Sequence, residues 1–320
     1  MTALPRLCLV AAALLLAPGA SVYAADKPKE IRIDWATYNP VSMVLKEKQL
    51  LEKEFAKDGI AIVWVQTLGS NKALEFLNAG SIDLGSTAGA AALVAKINGN
   101  PIKSIYVYSR PEWTALVTGK DSPITKIADL KGKRVAVTRG TDPHIFLVRA
   151  LQSVGLTEKD VRLVLLQHPD GKTALIRGDV DAWAGLDPMM AQAEIENGAK
   201  LFYRKPEANT WGVLNVREAF AAQNPDLVKR VLAIYEEARQ WALANPAELQ
   251  AILAKETKLP GPVVARQLER TDHTNKAITD ATRQTVLEAG LALQKAGVIK
   301  PDVDVKAATA ALIDTQYAAS

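Results

Sequence analysis

The sequence predicts an α/β protein of two lobes, each built from strands that alternate with helices. Short apolar runs and amphipathic helical patterns follow one another in two series, the first between residues 31 and 108 and the second between residues 114 and 203. Such alternation is typical of parallel sheets connected by right-handed crossovers. The chain of 320 residues is also long for one hydrophobic core and sufficient for two.

The first series contains four predicted strands and three predicted helices. Its first strand alternates apolar and polar residues, and its first helix carries apolar residues among charges with helical spacing. The strands are residues 31–35, 60–65, 82–84 and 102–108, and the helices are residues 44–55, 72–78 and 88–97.

The second series repeats this order, and a helical region follows it. The strands are residues 114–117, 135–137, 161–166, 180–183 and 200–203, and the helices between them are residues 145–151, 172–176 and 189–196. From Arg217 onward the pattern is nearly all helical, with prolines between the helices. These helices are residues 228–243, 247–254, 263–269 and 278–296.

A short motif occurs once in each series. A helix ends at Gly80 and a strand containing Asp83 follows at once, and Gly178 and Asp181 repeat this arrangement. Glycine adopts the left-handed conformation that commonly ends a helix. The repetition favours two lobes of related local topology.

The first 24 residues have the pattern of a cleaved signal peptide. Arg6 precedes an apolar run that is too short to span a bilayer, and residues 22–24 have the small-x-small spacing of a cleavage site. Cleavage removes Cys8, the only cysteine, so a mature chain of 296 residues has no disulfide, thiol nucleophile or cysteine metal site. We expect a protein secreted to the periplasm.

Composition and motifs argue against several functional classes. The net charge is +4, and basic residues never cluster with interleaved aromatics, so no nucleic-acid partner is expected. No later segment has 18 consecutive apolar residues, which predicts a soluble mature chain. The three histidines, His144, His168 and His273, lack metal-ligand spacing, and no P-loop, dinucleotide-binding or nucleophile-elbow motif occurs. We therefore expect neither a cofactor nor an enzyme.

The candidate binding residues lie in turns that lead from a strand to a helix. Open α/β sheets bind ligands beyond the carboxyl ends of their strands, where helix N-termini attract anions. In the clearest turn, Gly140 allows close approach of a ligand, Thr141 offers a hydroxyl, and Asp142 and Pro143 begin a helix. The Asp142 carboxylate repels an anion unless capping or a cationic part of the ligand takes up its charge.

Four further turns supply other candidates, which are Tyr38 and Asn39, Ser70, Ser86 and Thr87, and Asp187. His144, one turn into the helix after Thr141, is a further candidate. Each also has a purely structural interpretation. In that interpretation the hydroxyl residues and Asp187 cap helices without contacting a ligand, and such capping is common.

Four stretches resemble the periplasmic binding proteins for aliphatic sulfonates, taurine and sulfate esters. They are residues 80–85, 129–137, 181–188 and 209–220, the last similar to that family's return strand and helix. The resemblance spans nearly the whole mature chain. It implies the type II periplasmic-binding fold with two crossover segments, in which residues 25–112 and 214–320 form lobe 1 and residues 113–213 form lobe 2.

The resemblance also implies a function. It predicts a monomeric substrate-binding protein that captures a small organic sulfur anion for an ABC permease in the inner membrane, without chemistry on the ligand. Binders of nitrate, taurine or a thiamine-precursor pyrimidine share the fold and remain alternatives, as does an enzyme on the same scaffold.

Position by position, the resemblance places the sulfonate cradle at the Gly140-Thr141 turn and at the Ser86-Thr87 turn. His144 matches a histidine common at that helix start. Tyr38 and Asn39 occupy a turn where the family usually has a glutamine, and Asp142 replaces a small hydroxyl or amide residue.

Overall fold

The computed structural model describes residues 27–274 and 277–317. The predicted signal peptide, residues 1–24, lies outside the described residues. Within the described ranges, no helix is both long enough and apolar enough to cross a membrane.

The elements follow the predicted order through both series. The first series contains β1 (Glu30–Trp35), α1 (Pro40–Glu47), α2 (Leu50–Phe55), β2 (Ala61–Gln66), α3 (Ser70–Asn78), β3 (Leu84–Ala88), α4 (Gly89–Ile97) and β4 (Ile102–Pro111). The second contains β5 (Leu116–Thr118), β6 (Arg134–Val137), α5 (Asp142–Ser153), β7 (Arg162–Leu165), α6 (His168–Arg177), β8 (Ala182–Ala184), α7 (Met189–Asn197) and β9 (Lys200–Tyr203).

The C-terminal region contains one long strand, one short strand and six helices among the described residues. They are β10 (Gly212–Arg217), α8 (Glu218–Gln223), α9 (Pro225–Ala244), α10 (Pro246–Thr257), α11 (Gly261–Glu269), β11 (Thr271–Asp272), α12 (Asp280–Lys295) and α13 (Val305–Leu312). The first sheet has the order β11-β4-β10-β3-β1-β2, and the second has the order β7-β6-β8-β5-β9. The return strand β10 therefore brings the C-terminal region back to the first sheet.

The strands that carry the chain into each sheet run opposite to their neighbours. β5 is antiparallel to β8 and β9, and β10 is antiparallel to β3 and β4. Each of these strands follows a segment of chain that crosses from the other sheet. It therefore enters its own sheet at the carboxyl ends of the parallel strands and runs back toward their amino ends. The prediction of parallel sheets is therefore wrong for these two strands, and also for β11, which is antiparallel to β4. It is confirmed for β1 with β2 and β3, and for β6 with β7 and β8.

Two local predictions change in the structure. The helix predicted at residues 44–55 is divided into α1 and α2 at Gln49, whose φ of 52° is left-handed. α1 also begins earlier, because Asn39 caps it by accepting a hydrogen bond from the Ser42 backbone N–H at 3.3 Å. Ser86 and Thr87 lie within β3 and not in the turn after it, because β10 pairs with β3 along its full length.

The motif that occurs once in each series makes the same contacts in both lobes. Asp83 accepts hydrogen bonds from the Arg32 backbone N–H and Nη2, both at 2.9 Å. Asp181 accepts the corresponding bonds from Arg134 at 2.8 and 2.9 Å. Arg32 and Arg134 lie near the amino ends of β1 and β6, so both motifs mark the edge of the sheet opposite the strand-to-helix turns.

Candidate functional site

A small cavity lies between the two sheets, at the carboxyl ends of β1, β2 and β6. It is lined by Tyr38, Ser70, Trp113, Thr141, Asp142, Pro143 and Leu186. None of these seven side chains is cationic, so a bound anion would be held by neutral donors.

Helix N-termini supply such donors around the cavity. α3 begins at Ser70 and α5 begins at Asp142, directly after Thr141. α1 begins at Pro40, two residues after Tyr38. The N-cap residues of α3 and α5 make no side-chain capping bond. First-turn N–H groups and the positive ends of helix dipoles therefore face this region from both lobes.

Ser70 differs from the other hydroxyl residues that line the cavity. None of the hydrogen bonds described for it uses its hydroxyl hydrogen. Its Oγ accepts a hydrogen bond from the Ala88 backbone N–H at 3.0 Å. A hydroxyl accepts and donates at the same time, so Ser70 can still donate to a ligand. The structure thus makes Ser70 the best placed of the predicted hydroxyl donors.

The Thr141 hydroxyl is used inside its own turn. Oγ1 donates to the Thr138 carbonyl at 2.7 Å, which leaves oxygen lone pairs but no hydroxyl hydrogen for a ligand. Gly140 has a φ of 78°, which closes the turn, and a Cβ at this position would lie 3.7 Å from Cβ of Asn71 in the facing lobe. Gly140 and Thr141 therefore lie at the contact between lobes.

Tyr38 and Asn39 are held by a buried polar network behind the cavity. The Tyr38 hydroxyl donates to the Ser86 carbonyl at 3.0 Å, and Nδ2 of Asn39 donates to Oγ of Ser86 and to the Tyr235 hydroxyl, both at 2.8 Å. Ser86 in turn donates to Oδ1 of Asp34 through its N–H at 2.9 Å and its hydroxyl at 2.8 Å. Of these residues only Tyr38 lines the cavity. The others support it from below.

Asp34 is the centre of that network and is fully buried. Burial raises its pKa to about 6, although hydrogen bonds from Thr67 and Ser86 favour its charged form. Thr87, also in β3, accepts a hydrogen bond from Nδ2 of Asn215 at 2.8 Å and donates to the Ala88 carbonyl. The structure therefore gives Ser86 and Thr87 internal partners.

Asp142 contributes a buried carboxylate to the cavity wall. Its Oδ2 accepts hydrogen bonds from Nε1 of Trp113 at 2.8 Å and from the Thr210 backbone N–H at 3.0 Å, and its Oδ1 accepts one from the Thr210 hydroxyl at 2.6 Å. Trp113 and Thr210 belong to the two segments that cross between the sheets. Asp142 therefore connects the start of α5 to both crossings.

His144 and Asp187 have partners outside the cavity. Nε2 of His144 lies 2.9 Å from Oε1 of Glu158. Asp187 accepts a hydrogen bond from the Ala191 backbone N–H at 2.9 Å and forms an ion pair of 3.4 Å with Arg270. A role for either residue in ligand binding stays a prediction.

The contact between lobes includes a histidine that sequence patterns alone did not single out. His168, at the start of α6, is fully buried, and neither ring nitrogen has a hydrogen-bond partner among the described residues. Its ring packs on Gly69 of the facing lobe, where a Cβ would lie 3.1 Å from Cδ2. Burial lowers the pKa of His168 to about 3. A usable signal was the dipeptide His168-Pro169, which repeats the polar-proline helix start of α5.

An arginine cluster joins the lobes on another side. Arg270, which follows α11, pairs with Asp187 and with Glu194 on α7. Nη1 of Arg266 lies 3.8 Å from Oε1 of Glu194. Burial raises the pKa of Asp187 to about 7, although the charge of Arg270 opposes the shift. These contacts hold α11 against α7.

Comparison with known proteins identifies the group to which this architecture belongs. A family model described as NMT1/THI5 like matches residues 54–249, more than half of the chain. The chain belongs to this family. A protein of Escherichia coli (strain K12) named as an aliphatic sulfonates-binding protein is 32% identical over 263 residues, 82% of this chain and 82% of that protein. One of the same name from Bacillus subtilis (strain 168) is 28% identical over 304 residues, 93% of this chain and 92% of that protein.

A solved structure shows the same fold. The alkanesulfonate-binding protein SsuA of Xanthomonas axonopodis pv. citri, bound to MOPS, matches with a TM-score of 0.81 and 26% identity. The match covers 89% of this chain and 99% of that chain. The predicted two-lobed type II periplasmic-binding fold is thereby confirmed, and so is the resemblance read from the sequence.

Proposed function

We propose that this protein captures an aliphatic sulfonate or related organic sulfur anion in the periplasm and delivers it to an ABC permease in the inner membrane. The observation that carries the proposal is the cavity between the lobes, where helix N-termini converge and no cation lines the wall. A sulfonate spreads one negative charge over three oxygens, so several neutral donors suit it. The sulfonate-binding relatives support this ligand class.

Binding would close the two lobes on the ligand. We assign residues 25–112 and 214–320 to lobe 1 and residues 113–213 to lobe 2, with hinges near Trp113 and at residues 211–214. The cavity takes Ser70 from one lobe and Thr141 and Asp142 from the other, which supports closure around the ligand. The protein would act as a monomer.

Binding without catalysis fits the cavity better than enzymatic chemistry. Asp142 is the one carboxylate among the lining residues, and donors from Trp113 and Thr210 already contact both of its oxygens. These three hydrogen bonds use most of the lone pairs of the carboxylate and lower its basicity toward a substrate proton. None of the seven lining residues is a histidine or cysteine, the usual base and thiol nucleophile.

Calorimetry on a ligand panel tests the proposal. The panel contains ethanesulfonate, taurine, an alkyl sulfate, nitrate and a hydroxymethylpyrimidine. We expect sulfonates or sulfate esters to bind, with submillimolar dissociation constants, more tightly than nitrate and the pyrimidine. Preferential binding of nitrate or the pyrimidine, with no sulfur anion bound, would contradict the proposal even though the fold stands.

Two matched variants then locate the site. Ser70→Ala removes the free hydroxyl donor and should weaken sulfonate binding by about 10- to 150-fold, the effect expected for a hydrogen bond of about 1.5 to 3 kcal/mol to a charged group. Thr141→Val removes a hydroxyl whose hydrogen bonds Thr138, so it should change affinity less than about threefold. If sulfonates bind and Ser70→Ala has no effect, Ser70 is not a ligand donor.

A further inference from the structure

The charge of the cavity is set by a group that belongs to the protein and not to the ligand. Asp142 lines the cavity and is 2% exposed. All three of its described partners are hydrogen-bond donors: the indole N–H of Trp113 and the backbone N–H and hydroxyl of Thr210. Burial raises the pKa of this carboxyl and opposes ionisation, whereas the three hydrogen bonds that it accepts favour the ionised form. The wall of the cavity therefore carries a negative charge.

No cation in the cavity wall offsets this charge. Arg149, farther along α5, exerts a weak Coulombic effect on Asp142, but its guanidinium donates to the Ala208 carbonyl at 3.0 Å and does not line the cavity. A second buried carboxylate, Asp34, lies behind Tyr38. An incoming anion thus gains hydrogen bonds from neutral donors while it is repelled by Asp142.

We propose that Asp142 determines the charge selectivity of this binding site. The inference rests on the proposed function, because it assumes that the ligand anion enters this cavity. Repulsion from a fixed charge is proportional to the charge of the ligand. Asp142 therefore discriminates against dianions such as sulfate and favours organic sulfonates that carry one negative charge or an additional ammonium group.

Substitution of Asp142 by asparagine removes the charge and keeps the shape. If removal strengthens binding of a monoanion by about tenfold, the same change strengthens binding of a dianion by about a hundredfold, because the Coulomb energy doubles. A zwitterion with no net charge should gain nothing or lose affinity. Loss of a structural hydrogen bond would instead shift all ligands by a similar factor.

Two pairs of similar ligands test this at neutral pH and constant ionic strength. Methanesulfonate and sulfate differ by one negative charge at nearly the same size, and taurine and ethanesulfonate differ by one ammonium group. Dissociation constants are measured by calorimetry for the wild type and Asp142→Asn. We expect the sulfate-to-methanesulfonate ratio of dissociation constants to fall by about tenfold in the variant, and the preference for taurine over ethanesulfonate to fall by a similar factor.

A control removes an equal charge elsewhere in the same lobe. Asp181→Asn lies at the amino ends of the strands, where Asp181 pairs with Arg134 at 2.9 Å, and both ratios should stay at their wild-type values. If Asp142→Asn does not fold, as judged by thermal melting, Asp142→Ser removes the same charge with a smaller side chain.

The outcomes separate the two proposals. Equal shifts for sulfate and methanesulfonate, or the same change of ratio in Asp181→Asn, would overturn charge selectivity by Asp142 while sulfonate binding stands. Absence of binding of every sulfonate to the wild type would instead overturn the proposed function itself.

Discussion

Acidification should weaken ligand binding through His168, because closure of the lobes buries this ring without a partner for a proton. In the structure both ring nitrogens lie unpaired among the described residues, and the ring packs on Gly69 of the facing lobe. Burial lowers the pKa of His168 to about 3 in this arrangement, and we expect opening of the lobes to expose the ring and restore its ordinary pKa of 6.5. The closed form therefore binds fewer protons, and low pH favours the open form.

The size of the effect follows from these two pKa values. Binding is at full strength well above pH 6.5 and is lost as the pH falls through this value. Between about pH 7.5 and pH 5.5 the affinity should fall about tenfold through His168 alone, which corresponds to about 1.4 kcal/mol. A sulfonate stays ionised over this range, so the change does not come from the ligand.

Calorimetry of the wild type and His168→Phe at both pH values isolates the contribution. Phenylalanine keeps a planar ring and cannot titrate. Asp34 and Asp187, with pKa values raised to about 6 and about 7, are present in both proteins, so their effects cancel in the comparison. The ratio of affinities at the two pH values should be about tenfold larger in the wild type than in the variant.

Asp181→Asn serves as the control, because Asp181 pairs with Arg134 at 2.9 Å at the amino ends of the strands, on the edge of the sheet opposite the cavity. It should keep the wild-type dependence on pH. If the wild type and His168→Phe have the same dependence within about twofold, opening does not expose His168 and the reasoning is refuted.

Two further changes at the contact between lobes should weaken binding. Gly69→Ala introduces a Cβ 2.9 Å from Oδ1 of Asn71, the end of a flexible side chain, and 3.1 Å from Cδ2 of His168 in the facing lobe. It should cost about tenfold in affinity with little change in the melting temperature of the ligand-free protein. Unchanged affinity would show that the lobes can shift at no cost. Arg270→Gln removes the ion pairs to Asp187 and Glu194 and should weaken binding by at least about tenfold at pH 8, measured by calorimetry. The pKa of Asp187 is raised to about 7, so its carboxyl binds a proton at acidic pH and the ion pair to Arg270 is then lost in the wild type as well. The loss of affinity in Arg270→Gln should therefore be smaller at acidic pH. An equal loss of affinity at both pH values would argue against a role for this ion pair.

Local sequence signals predicted the elements and part of the site. The turn residues Tyr38, Ser70 and Thr141 do line the cavity, because the carboxyl ends of parallel strands and the helix starts after them are local features. The role of Ser86 could not be predicted in this way. β3 continues through Ser86 because it pairs there with β10, which comes more than a hundred residues later in the chain.

Contacts between lobes account for the other differences. Asp187 has the Asp-Pro pattern of a capping turn, yet its carboxylate also pairs with Arg270, 83 residues away. His168 is buried because Gly69 of the other lobe packs on it, and no feature of its own helix requires that burial. Such contacts depend on how two lobes close, which helical and strand periodicity do not encode.

An anion site without a lining cation requires closure for its affinity. Neutral donors such as the Ser70 hydroxyl and the first N–H groups of α5 interact weakly with an anion in water, and more strongly when the site is dry. Ser70 belongs to one lobe and α5 to the other, so an open protein would offer each half of the site to solvent. Closure would both complete the donor set and exclude water, and it would also bury His168 and bring the ligand close to the charge of Asp142. These two residues would therefore set the pH and the ligand charge at which closure is favourable.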